Sequence, residues 1–207
     1  MAPHFIIRLN RVDLITLTGL ALVGGVLWLI QAGHLTAALA LLYAAMLADA
    51  LDGYLARKWG LTREFGRYLD GFVDTFMYLV TPAFWAWQWG FNGPAAMLII
   101  YALWACGSVR LAVFNQTGNI RQGKALAYQG MPVYWIVFSL SATVILGWWL
   151  GRETALALLH GLWALVALCM VWNRPFFKFN TLGQILTVVL SGILIFGTRA
   201  WWETNHG

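Results

Sequence analysis

The chain has 207 residues, 61% of them hydrophobic and only 10% charged, with a formal net charge of +5. A soluble domain carries about 25% charged residues, so this composition excludes an ordinary water-soluble globule and predicts an integral membrane protein, one domain over residues 1–207. The basic excess is explained by the positive-inside rule rather than by nucleic acid, and no nucleic-acid partner is expected.

In chain order, a spanning helix needs about 20 mostly apolar residues. Seven stretches qualify: 13–31, 35–56, 66–89, 94–115, 128–150, 154–172 and 181–200. Short breaks rich in Gly, Pro or Asn separate them, such as "QAGH", "WGFNGP" and "WNRP". Residues 3–13, "PHFIIRLNRVD", mix apolar and basic side chains and read either as an interfacial segment or as a frayed start of the first helix. Arg8 and Arg11 precede a run long enough to span, with no cleavage-type site after it, so no cleavable signal is expected.

Basic residues set the orientation. Eleven fall on one side of the seven spans: Arg8, Arg11, Arg57, Lys58, Arg63, Arg67, Arg110, Arg121, Lys124, Arg174 and Lys178. Only Arg152 and Arg199 fall on the other, so the first side is expected to be cytoplasmic, in the inner membrane of a bacterial or archaeal cell. Tryptophans near the span ends, Trp85, Trp87, Trp89, Trp148, Trp149, Trp201 and Trp202, are expected in an interfacial belt. Cys106 and Cys169 stand alone in apolar runs and read as small core residues.

Four aspartates break the apolar pattern. Asp49, Asp52, Gly53 and Ala56 recur at i, i+3, i+4 and i+7, on one face of the second span. Gly66, Asp70 and Asp74 recur at i, i+4 and i+8 on the third. A short connection makes the two helices antiparallel neighbours, so the two carboxylate pairs can face each other across a cleft. A carboxylate at mid-membrane costs about 3 kcal/mol on insertion scales, and four together repel. Cations among them resolve both difficulties. All-oxygen ligation suits Mg²⁺ or Mn²⁺, and two such ions form a clamp for phosphoryl chemistry. Gly53 and Ala56 let a ligand approach the backbone, and Arg57 suits a phosphate oxygen. Two other readings compete: a collar of aspartates solvated and paired with Arg57, Lys58, Arg63 and Arg67, and a cation relay in a transporter.

The spacing D-x2-D-G-x2-A-R-x8-G-x3-D-x3-D, met by Asp49, Asp52, Gly53, Ala56, Arg57, Gly66, Asp70 and Asp74, resembles the motif of the CDP-alcohol phosphotransferase family. That resemblance implies an all-α polytopic bundle, a six-helix core plus a seventh spanning helix, and often a homodimer. It implies a lipid donor activated as CDP-diacylglycerol, an alcohol acceptor and two divalent ions, Mg²⁺ or Mn²⁺. It further implies that Asp49, Asp52, Asp70 and Asp74 ligate metal and that Asp74 is the catalytic base. Asp49, Gly53, Ala56, Arg57 and Gly66 would bind the nucleotide.

Residues 69–85, 109–115, 128–133 and 172–180 are similar in kind and order to stretches of the phosphatidylserine synthase branch, which implies L-serine as acceptor. Gly71, Leu79 and Val113 depart from that branch's usual residues, as does Asp13 before Thr16. Serine's carboxylate needs a cation, and Arg110 is the candidate, with Lys124 as a second acceptor contact. The remaining acceptors are glycerol 3-phosphate, inositol phosphate and inositol. An inactive scaffold is the remote alternative.

Overall fold

The computed structural model describes residues 6–118, 120–122, 125–177, 179 and 181–206. Helix α1, Arg11–Gln31, begins where the Asn10 side chain accepts the Val12 and Asp13 amides while Asp13 accepts the Asn10 amide, a reciprocal cap. Residues 6–10 before it are not helical. Helix α2, Leu35–Lys58, follows after a tight turn, and a second turn leads to α3, Glu64–Asp74. Helix α3 continues without a break through a π-helical stretch, Thr75–Val80, into α4, Thr81–Trp89. This rod is about 39 Å long at 1.5 Å per residue, and it ends on Gly90, whose φ of 110° suits glycine. Helix α5, Pro94–Thr117, opens with proline at its first position.

A small antiparallel sheet interrupts the helices. Strands β1, Ile120–Gln122, and β2, Ala125–Gln129, form a hairpin in which Ile120 faces Ala127. Strand β3, Pro175–Phe176, arrives from after α7 and pairs with β2, Tyr128 opposite Phe176. Helices α6, Trp135–Leu150, α7, Arg152–Val171, and α8, Leu182–His206, complete the chain.

The architecture is the expected all-α polytopic bundle, with seven helical rods among the described residues. Helices α1, α2, α5, α7 and α8 are long and apolar enough to cross a membrane. Helix α2 packs between α1 and α8, and α7 packs on α5 and α6. Leu39, Leu42, Met77, Leu103, Ile136, Leu140 and Trp163 are fully buried where these helices meet.

Two expectations change. The fifth apolar stretch was expected to be helical from residue 128, but its helix starts only at Trp135. Gly130 and Met131 instead donate to the carbonyls of Arg174 and Cys169, which ties the segment to the end of α7. Trp85 is not in an interfacial belt. It is 1% exposed, and its indole donates to the carbonyl of Leu35 at 2.7 Å. Trp149 and Trp201, by contrast, are exposed.

Candidate active site

The helices alternate in direction, so the end of α2, the start of α3, the end of α5 and the start of α8 lie together. A cavity of about 430 Å³ opens there. Asp49, Asp52, Gly53 and Arg57 of α2, Asp70 and Asp74 of α3, and Arg110 of α5 all line it. Carboxylate oxygens of Asp49, Asp70 and Asp74 lie within 4.8 Å of one another. Asp52 stands beside them, its Oδ2 accepting the Thr16 hydroxyl of α1 at 2.5 Å.

Among the described residues no lysine or arginine forms an ion pair with any of these four aspartates; the ion pairs are Arg63–Asp13, Arg152–Glu153 and Arg199–Glu203. Asp74 Oδ1 is buried and has no hydrogen-bond partner. A solvated collar of paired charges therefore does not describe the aspartates. Three largely enclosed carboxylates this close, with one Asp74 oxygen buried and unpartnered, fit a divalent cation by donor chemistry: hard oxygen ligands and negative charge in excess.

Not every candidate joins the cavity wall. Ala56 and Gly66 are not among its lining residues. Gly66 packs on the Arg63–Asp13 ion pair, where an added Cβ would lie 3.7 Å from Asp13 Oδ1. Asp13 is thus a buried structural acid, capping α1 and anchoring Arg63, which also donates to the Arg8 carbonyl at 3.1 Å. Lys124 lies outside the described residues. Arg57 bends back along its helix, its Nη1 3.5 Å from where a Gly53 Cβ would sit.

Arg110 is 5% exposed, and its guanidinium lies 5.0 Å from the ring centres of both Phe114 and Tyr128. Its Nε is buried without a partner. Burial pushes the Tyr128 phenol up to about 12, so it stays protonated at physiological pH.

Three features of the site escaped the sequence reading. Tyr78 donates to Asp49 Oδ2 at 2.6 Å. It continues the i, i+4 series of Gly66, Asp70 and Asp74, which was the available signal. Thr16, one turn after Asp13, shares that residue's face of α1, whereas Thr18 does not. Helix α8 supplies Ile185, Val188 and Val189 to the cavity wall, so the seventh rod is part of the site rather than an appendage. Nothing in its sequence marks that face.

These observations define a polytopic helical bundle with an acidic, cation-fitting cavity at one end of its helices. The chain belongs to the CDP-alcohol phosphatidyltransferase family, whose profile matches residues 9–204. It is 36% identical over 75 residues to a CDP-diacylglycerol–serine O-phosphatidyltransferase of Methanocaldococcus jannaschii, covering 36% of this chain and 37% of that protein. It is 31% identical over 102 residues to the Bacillus subtilis protein of the same description, covering 48% and 55%. It is also 32% identical over 119 residues to a phosphatidylcholine synthase of Brucella melitensis, covering 55% and 41%. The matched stretches thus span from about a third to about half of these relatives' lengths.

Proposed function

We propose that this protein transfers a phosphatidyl group from CDP-diacylglycerol to the hydroxyl of L-serine, giving phosphatidylserine and CMP. The observation that carries this reading is the convergence of Asp49, Asp70 and Asp74 within 4.8 Å in one cavity that also holds Arg57 and Arg110. Divalent ions held by Asp49, Asp52, Asp70 and Asp74 would neutralise the donor's diphosphate. Arg57 binds a phosphate oxygen of the donor beside the bare backbone of Gly53. Asp74 takes the proton of the serine hydroxyl as its oxygen bonds to the phosphatidyl phosphorus. The bond from that phosphorus to the bridging oxygen breaks, and CMP leaves with the oxygen. Arg110 faces the serine carboxylate. The apolar wall from α8 and Phe138 meets the lipid portion of the donor, whose chains stay in the bilayer.

A second reading keeps the aspartate chemistry and changes the acceptor. Tyr134, Phe138 and Phe179 form an aromatic group on the cavity wall, with ring centres 5.3–6.3 Å apart. Aromatic faces hold quaternary ammonium groups, so choline is the acceptor on this reading, as the description of the Brucella relative also suggests.

The deciding experiment measures CMP release by purified protein in detergent with CDP-diacylglycerol and Mn²⁺ or Mg²⁺, varying serine, choline, glycerol 3-phosphate, inositol phosphate and inositol. Turnover with serine, lost in Asp74→Asn while the variant stays folded, supports the proposal. Turnover only with choline selects the second reading. Turnover only with a phosphorylated alcohol or inositol overturns both acceptors and leaves the aspartate chemistry standing. Absence of CMP release with every alcohol overturns the activity itself.

A further inference from the structure

Tyr78 lies outside the aspartate motif, yet it hydrogen-bonds directly to one of its carboxylates. It is 3% exposed, it lines the cavity, and its phenol donates to Asp49 Oδ2 at 2.6 Å. The backbone that delivers it is unusual. Residues 75–80 are π-helical, a geometry rare in proteins and frequent at functional sites. Its causes lie partly in the segment itself and partly in α5. Pro82 has no N–H to return to the Tyr78 carbonyl. Thr81 donates both its amide and its hydroxyl to Phe76 O, the latter at 2.8 Å. The Trp104 indole of α5 donates to the Leu79 carbonyl at 3.0 Å. Three separate interactions thus hold a widened turn immediately after Asp74, and Tyr78 sits inside it.

We propose that Tyr78 is a positioning residue of the cation site, acting through Asp49. This rests on the reading that Asp49, Asp70 and Asp74 hold a divalent ion. A carboxylate has two oxygens and can swing about its terminal torsion. The phenol occupies one lone pair of Oδ2 and so fixes the plane of the Asp49 carboxylate relative to Asp70 and Asp74. Partners of this kind commonly matter to a metal site nearly as much as the ligands. Phenylalanine at 78 would fill the same space and leave the carboxylate free to turn.

The test is Mn²⁺ binding to Tyr78→Phe and wild-type protein in detergent, without donor or acceptor, read by electron paramagnetic resonance of free Mn²⁺. Affinity is expected to fall about 10- to 100-fold, while the melting temperature of the metal-free protein falls by no more than the loss of one hydrogen bond. The rise in melting temperature on adding Mn²⁺, present in the wild type, should shrink in the variant by mass action. Equal Mn²⁺ affinity in the two proteins overturns the role of Tyr78 and leaves the cation site intact. A lower melting temperature with unchanged affinity assigns Tyr78 to packing and also overturns it. A wild type that binds no Mn²⁺ overturns the cation site itself, and the role of Tyr78 with it.

Discussion

Arg110 shows how much one residue's surroundings narrow its role. A basic residue near a helix end is ordinarily a membrane anchor that reaches for water. Here the side chain is 5% exposed and stacked on Phe114 and Tyr128, with Nε unpartnered. A buried donor without a partner costs about 1–3 kcal/mol, a penalty that a bound carboxylate can remove. Arginine's planar fork suits both the stacking and a carboxylate, and lysine matches neither. Arg110→Lys should therefore raise the acceptor KM about tenfold or more while the donor KM stays near wild type, measured by CMP release at varied serine. An equal rise in both KM values would place Arg110 on the donor instead. The departures at Gly71 and Val113 are less telling for the acceptor than the sequence suggested. Neither lines the cavity, and the space of a Gly71 Cβ is filled by the Asn115 amide.

At the scale of elements, α8 approaches α2 closely at Gly192. A Cβ on Gly192 would overlap the ring of Tyr43 on α2. That ring cannot yield easily. It is 5% exposed, stacks on Phe138 and Phe196, and its hydroxyl donates to Ser141 at 3.0 Å. Gly192→Ala should destabilise the protein by about 1–3 kcal/mol, the usual cost of overpacking, seen as a lower melting temperature in detergent. Because α8 carries one wall of the cavity, donor affinity should fall in the same variant, whereas a Gly197→Ala control, with open space around it, should change neither. The aspartate faces were legible in the sequence because a 3.6-residue period turns spacing directly into direction. Residues 75–80 were not, since their π geometry depends on Trp104 from another helix as well as on Thr81 and Pro82. Nor was the sheet. Its strands are two to five residues long, and β3 pairs with β2 from beyond two intervening helices. The α8 wall was hidden for a different reason: in a membrane helix, apolar side chains face lipid and protein alike, so hydropathy carries no sidedness.

At the scale of the whole molecule, the seven rods of the described residues place the start of α1 and the end of α8 at opposite ends of the bundle. The cavity end carries Arg57 and Lys58 closing α2, Arg63 and Arg67 around the start of α3, and Arg174 after α7. The opposite end carries Arg152 and Arg199, and both stand beside acids. Arg152 lies 3.6 Å from Glu153, and Arg199 donates to Glu203 at 2.8 Å while stacking on Trp148 and Trp202. Pairing with acids trims the local charge of an end already poor in cations. Since orientation follows the Lys and Arg bias of short loops near the spans, the cavity end should face the cytoplasm, where a cytosolic alcohol reaches Asp74 without crossing the bilayer. Alkaline phosphatase fused after Leu61 or Gly118 in a bacterial host should then be inactive, and fused after Gly151 or Asn205 active. The reverse pattern would turn the cavity outward, and serine would have to arrive from outside the cell. Equal activity after Gly118 and Gly151 would mean that α6, only 16 residues and about 24 Å long, fails to carry the chain across.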